Sequence, residues 1–186
     1  MIVGSMTVDQ TSELPDSYWV IPGKLLAGEY PCSPRDEDVL SKLNALLDAG
    51  IRSFLDLTES ADGLRAYRGV VIRLGADRGL DIHYRQMSIR DLDIPTVDHM
   101  TLILEHIDNE IAAGYPIYVH CWGGIGRTGT VVGCWMRQKD GHTADEAFAR
   151  IAQLRAHTQV VHVPSPQTPQ QREFVTLWTP GDAAPA

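Results

Sequence analysis

The stretch HCWGGIGRTG, residues 120–129, sets a thiol, Cys121, at the head of a glycine-rich loop, with Arg127 five intervening residues further on. A glycine-rich turn running from a strand into a helix lets successive backbone N–H groups face one concavity, and the helix N-terminus adds roughly half a positive charge. Such a loop is an anion cradle. Trp122, Gly123, Gly124, Ile125 and Gly126 form its backbone. Gly123, Gly124 and Gly126 are expected to take the dihedrals that only glycine adopts freely, and Arg127 can fold back to hold two oxygens of a phosphate in its planar fork. Amides, helix end and guanidinium all favour a thiolate at Cys121, and a thiolate held against phosphate is poised for in-line displacement and a phosphocysteine intermediate. Thr128 offers a hydroxyl to the sulfur as it leaves in the second step. A cysteine at a tight strand-to-helix turn is otherwise a packing residue. Here His-Cys, three glycines, an arginine and a hydroxyl occur together at usable spacing, which favours chemistry.

A phosphocysteine route needs a carboxylic acid, because an alkoxide or phenoxide leaves poorly at neutral pH. SIRDLDIPT, residues 88–96, lies between an expected strand and an expected helix and carries Asp91 and Asp93 ahead of Pro95. Either aspartate also suits a turn or an N-cap. Arg90 beside them is a solvated loop charge or an aid in attracting phosphate. Asp56 and Glu59, in DLTES after an earlier strand, can brace the loop or cap a helix.

These groups act together only if the chain brings strand ends to one edge. YWVIPGKLLAGE reads as a hairpin about Pro22-Gly23. Ser33 with Pro34 signals a helix N-terminus whose apolar face, Val39, Leu43, Leu46 and Leu47, stops at Gly50. Residues 51–57 and 81–89 read as strands. The span from Asp62 to Gly79 is ambiguous, with a short helix expected around Leu64 to Arg68. Val97, Met100, Leu104, Ile107 and Ile111 mark one face of a helix ending at Gly114. The strand YPIYVH then feeds the cradle, and RTGTVVGCWMRQKD leaves it as a helix rich in small residues. Thr143 with Glu146 forms a capping box over Ala147, Phe148, Ile151 and Leu154. A last helix runs roughly from Pro169 to Trp178. Strands alternating with helices predict an α/β domain, a central, mainly parallel, twisted sheet flanked by helices on both faces, with ligands bound at the carboxyl ends of strands.

With 186 residues and 44% apolar composition, one compact domain over residues 15–179 is expected, with disordered segments at 1–14 and 180–186. A net charge of −8 disfavours general nucleic-acid or anionic-membrane binding. Three scattered cysteines, Cys32, Cys121 and Cys134, are too few for a disulfide framework, and no histidine spacing suggests a ligand set, so neither metal nor cofactor is expected. A reversible disulfide of Cys32 or Cys134 with Cys121 is conceivable. No signal peptide or long apolar stretch is recognised, so a cytoplasmic location is expected.

HCWGGIGRTG resembles the signature loop of cysteine-dependent protein phosphatases, His-Cys, five residues, Arg, then Ser or Thr. Its position late in the chain is similar to the dual-specificity and tyrosine phosphatase superfamily, and the Gly-Gly after Trp122 resembles the branch that includes the cyclin-dependent-kinase-associated phosphatase. The resemblance spans about Tyr18 to Trp178. It implies Cys121 as nucleophile, Arg127 as phosphate and transition-state binder and His120 as the residue that orders the loop and tunes the thiol. The acid pattern Asp-x-x-x-Pro selects Asp91, 30 residues before Cys121, over Asp93. QTPQQREF resembles the glutamine loop, Gln-Thr-x-x-Gln-x-x-Phe, whose first glutamine, here Gln167, orients the hydrolytic water; Gln171 matches the second. Thr168 with Gln171 is equally a capping box with Pro169 behind it. The substrate implied is a phosphotyrosine protein, with phosphoserine and phosphothreonine as further candidates. The five loop residues between Cys121 and Arg127 hold no base, which disfavours a polyphosphorylated lipid. Small phosphorylated metabolites, phosphoinositides and a silent phosphate-binding role are the alternatives. Trp122 either walls the pocket or packs beneath the loop.

Overall fold

The computed structural model describes residues 14–32 and 36–179. The expected N-cap at Ser33 with Pro34, and the expected disorder of 1–13 and 180–186, lie outside them. Leu14, assigned by its sequence to the loose N-terminus, is instead half-buried against the core.

Strands β1 (Ser17–Ile21) and β2 (Leu25–Gly28) form the hairpin about Pro22-Gly23. Gly23 takes φ 69° at the turn, where a side chain would be strained. Helix α1 (Asp36–Asp48) leads to β3 (Ser53–Asp56), followed by a 3-10 turn at Ser60–Asp62 and α2 (Arg68–Asp77). Then come β4 (His83–Gln86), α3 (Val97–Ala112), β5 (Ile117–His120), α4 (Gly126–Asp140), α5 (Ala144–Leu154) and α6 (Pro169–Leu177). Side-chain caps start three of these helices, two of them at the capping boxes read from the sequence. Thr96 accepts from His99 N at α3, and Thr143/Glu146 and Thr168/Gln171 close capping boxes at α5 and α6.

Two expectations change. The short helix expected at Leu64 to Arg68 begins where it was to end: α2 opens at Arg68, held by Val71 and Gly75, which are buried, with Gly75 close against Ile82. Val71 packs in the cluster with Leu43, Phe54 and Tyr118, residues remote in sequence and invisible to local periodicity. The strand expected over 81–89 is shorter because its end peels away. Met87 N and Ile89 N still donate to Asp56 O and Leu57 O, but the chain is already leaving the sheet towards the loop that holds Asp91.

The sheet runs in the order β1-β2-β5-β3-β4, with β1 antiparallel to β2 and every other pair parallel. Its central strands are apolar on both faces, as a covered parallel sheet requires. Phe54 and Tyr118 join α1 and α2 on one side, while Leu55 and Val119 join α3, α4, α5 and α6 on the other. β5 lies between β2 and β3, and its His120 is level with Gly28 and Asp56. Chain connections diverge around this strand, so its carboxyl end opens the crevice in which α/β sheets bind ligands.

Candidate active site

β5 ends at His120 and delivers Cys121, buried with 3% exposure, to that crevice. Trp122–Ile125 form the loop, and α4 opens at Gly126. The first amides of a helix have no partner inside it, and the N-cap here is Ile125, with no side-chain cap bond. These donors, with the positive end of the helix dipole, are left to an anion. Of the three loop glycines, Gly124 alone has positive φ, 66°, and a Cβ there would come within 2.4 Å of the Gly28 carbonyl carbon. Gly124 is therefore fixed by backbone conformation and by the close approach of β2. Gly126 is small for another reason: a Cβ would lie 2.9 Å from Gln171 Oε1. Gly123 meets no comparable constraint. The expectation that all three supply special dihedrals holds for Gly124 only.

Arg127 is 1% exposed. Its Nη1 donates to Asp62 Oδ2 at 2.7 Å and to Ile89 O at 3.1 Å. Nη2 lies 3.0 Å from Asp91 Oδ1 in an ion pair without hydrogen-bond geometry, and Nε has no hydrogen-bond partner. One edge of the fork is thus committed to the protein, and two donors remain for a ligand. Burial opposes the charge of Arg127, but the hydrogen bond to Asp62 and the charges of Cys121, Asp62 and Asp91 outweigh it and hold its pKa above the ordinary arginine value.

The loop after β4 carries both candidate acids, and the structure separates them. Asp91 is half-exposed and faces Arg127. Asp93 turns its Oδ1 to Ile94 N and gives its carbonyl to Gln171 Nε2 at 3.1 Å, so it serves the loop itself. Between them Leu92 has φ 60° in a turn closed by Asp93 N to Arg90 O. A leucine in this region costs about 1 kcal/mol or more. Arg90 is exposed.

His120 is fully buried. Its Nδ1 lies 3.3 Å from Cys121 O, an acceptor only, so Nδ1 carries the proton and Nε2 accepts from Tyr67 OH at 2.6 Å. The rings of Tyr30, Tyr67 and Tyr118 pack around it. Burial lowers the pKa of His120 below its ordinary 6.5. The folded imidazole thus resists protonation, whereas the unfolded chain takes up a proton as pH falls through 6.5. Stability should therefore be lost below that pH, with a slope of up to about 1.4 kcal/mol per pH unit for this group. Urea unfolding at pH 7.5 and 5.5 is expected to show a smaller fall for His120→Gln than for the wild type; equal falls would contradict it. His106, whose pKa burial also lowers, leaves a residual fall in both proteins.

The remaining expected residues are placed as follows. Thr128 is buried, and its hydroxyl donates to Gly28 O at 3.5 Å. Trp122 is 54% exposed, so its ring does not pack beneath the loop, and its carbonyl accepts from Tyr30 N. Gln167 is exposed, while Gln171 is buried. Asp56 accepts from Thr58 N, Thr58 Oγ1 and Tyr84 OH and braces the turn after β3, and Glu59 caps the 3-10 turn. Cys32, Cys121 and Cys134 are free thiols, and burial pushes the Cys134 thiol far up.

Three residues escaped the sequence reading. Asp62, in the same strand-end segment as Asp56 and Glu59, is the carboxylate that holds Arg127. Tyr67 holds the other ring nitrogen of His120 from 53 residues away. Arg155 is buried within electrostatic reach of Cys121 and donates to Val160 O and Val163 O, tying down the segment before Gln167. Only the position of Asp62 at a strand's carboxyl end carried a signal. Among the described residues no group of three or more His, Cys, Asp or Glu could hold a metal ion, and no helix is long and apolar enough to cross a membrane.

A mainly parallel sheet whose central strand delivers Cys121 to the uncapped start of a helix that carries Arg127 places the chain in the dual-specificity and tyrosine phosphatase superfamily. Residues 32–140 match the family model of the DSP-PTPase phosphatase of polymorphic toxin systems, and the chain belongs to that family. It is 25% identical over 147 residues to the tyrosine-protein phosphatase cdc-14 of Caenorhabditis elegans, covering 75% of this chain and 19% of that one. The chain spans a third or less of the length of the curated relatives it matches. Its fold is similar to Tk-PTP in its active form, with TM-score 0.63, 21% identity and coverage of 87% of this chain and 94% of the other. It is also similar to PTPMT1 in complex with PI(5)P, with TM-score 0.62, 20% identity and coverage of 86% and 92%.

Proposed function

We propose that this phosphatase hydrolyses phosphotyrosine in proteins, with phosphoserine and phosphothreonine as further substrates, through a phosphocysteine intermediate in the cytoplasm. The observation that carries the reading is a buried guanidinium with two unspent donors, beside a cysteine that heads a helix with no side-chain cap. Phosphate binds to the loop amides of 122–126 and the free edge of Arg127. The Cys121 thiolate attacks phosphorus, the bond to the leaving oxygen breaks, and Asp91 gives that oxygen its proton. Water, placed by Gln167 and deprotonated by Asp91, then attacks the phosphocysteine, and the sulfur departs as thiolate as the Thr128 hydroxyl turns to it from Gly28 O.

Asp91→Asn should lower kcat for phenyl phosphate by about 10²- to 10⁴-fold and for p-nitrophenyl phosphate much less, since nitrophenolate leaves without help. Equal losses on both substrates would remove Asp91 from this role.

Phosphoinositides are the second reading, favoured by the likeness to PTPMT1 bound to PI(5)P. Against it stand the loop residues 122–126, none of them basic, and the net charge of −8. Comparison of kcat/KM for phosphotyrosine peptides, phosphoserine peptides and soluble PI(5)P tests the proposal. Phosphotyrosine peptides are expected to lead; a preference for PI(5)P would replace this reading by the second, and no turnover of any would leave a phosphate-binding module.

A further inference from the structure

The fully buried Gln171, on the first turn of α6, hydrogen-bonds two separate pieces of the site through its amide and packs on a third. Its Oε1 accepts from Gln167 N at 3.2 Å and Thr168 N at 3.1 Å, and its Nε2 donates to Asp93 O at 3.1 Å, two residues beyond Asp91. Its amide also packs on the first residue of α4, where a Cβ on Gly126 would come within 2.9 Å of Oε1 and 3.0 Å of Nε2.

The capping box explains only the acceptor. A glutamine or glutamate at this position normally reaches back to the backbone amide of the N-cap, and Oε1 alone does that. The donor Nε2 has no part in the cap. It crosses 78 residues of sequence to the acid loop, and that loop needs a tether. Asp91 is half-exposed, and Leu92 holds a positive φ that an unconstrained leucine leaves. Asp93 O is fixed from the far side of this strained turn, on a group that itself rests on the start of the cradle helix.

We infer that Gln171 is a positioning residue that sets the acid loop relative to the phosphate cradle, its Nε2–Asp93 O bond holding Asp91 at proton-transfer distance from the leaving oxygen. It touches neither substrate nor sulfur, and it acts through Asp91. The inference rests on the proposed role of Asp91.

Glutamate separates the two functions of this side chain. Gln171→Glu keeps an oxygen for the amides of 167 and 168, as capping boxes commonly do, but turns the donor facing Asp93 O into an acceptor. The experiment measures kcat for p-nitrophenyl phosphate and phenyl phosphate, whose leaving group is about as basic as tyrosine at ~10, and takes their ratio. The ratio does not depend on how much of a variant is folded, so Gln171→Met, which keeps the bulk and loses both polar atoms, can be read the same way if glutamate destabilises the protein. Both variants are expected to lose about tenfold more kcat on phenyl phosphate than on p-nitrophenyl phosphate, with KM little changed. Asp91→Asn is the reference. If it shifts the ratio and neither Gln171 variant does, the tether plays no part in placing the acid and the inference is overturned. If Asp91→Asn itself leaves the ratio unmoved, the acid assignment fails and takes this inference with it.

Discussion

Cys121→Ser is expected to remove turnover of p-nitrophenyl phosphate by a factor on the order of 10⁴ or more while the protein stays folded and still binds phosphate. Cys121 is nearly fully buried, and serine differs from it by one smaller atom, so the packing around β5 is preserved. What is lost is the nucleophile: sulfur attacks phosphorus as a thiolate, whereas a serine hydroxyl remains protonated near neutral pH and is far the weaker nucleophile. Phosphate should still raise the thermal midpoint of the variant, because every donor to the anion is intact. Wild-type rates in Cys121→Ser would assign the chemistry elsewhere.

The second large effect is at Arg127. Lysine there keeps a charge but presents one point in place of a planar fork, and it cannot serve Asp62 and Ile89 O on one side and a phosphate on the other. Arg127→Lys is expected to lower kcat/KM by about 10²- to 10³-fold, the loss typical of one transition-state donor. Arg127→Ala should in addition unfold more readily. Asp62 is only 4% exposed in its side chain, and removing the partner of a buried charge costs about 3–5 kcal/mol. Asp62→Asn shares the catalytic loss in smaller measure, since the fork keeps its charge and its bond to Ile89 O. Denaturant melts and kcat/KM for the three variants, measured together, check this. Equal kcat/KM in Arg127→Lys and the wild type would show that the fork does not meet the phosphate.

What was legible in the sequence was local. The Pro22-Gly23 hairpin, the caps at Thr143 and Thr168 and the centre of the α3 face, Met100, Leu104 and Ile107, follow from neighbours within a few residues, and the structure has them where the spacing put them, although Val97 at the start of that face is exposed and Ile103 joins it. The cradle was legible for the same reason, since Cys121 and Arg127 lie on one strand-loop-helix unit. What was not legible depends on packing between remote segments. α2 starts at Arg68 and buries Val71 in the cluster formed with α1, Phe54 and Tyr118, packing that a window around Leu64 cannot reveal. The carboxylate that holds Arg127 lies 65 residues upstream, among acidic neighbours of equal appearance. Gln167 and Gln171 look alike in a motif, yet one is exposed and the other buried, a difference set by where α6 docks on Gly126. Asp91 and Asp93 were separated in sequence only by resemblance; in the structure they differ in what they face, Arg127 for one and the loop's own backbone for the other.

The covalent step is the centre of the account, and one measurement reaches it directly. Wild-type protein turning over p-nitrophenyl phosphate is stopped by a rapid denaturing quench, and its peptides are mapped by mass spectrometry. The account predicts one added phosphoryl group on the peptide carrying Cys121, absent in Cys121→Ser. Sustained turnover with no phosphorylated peptide, or with the phosphoryl group on another residue, would contradict it.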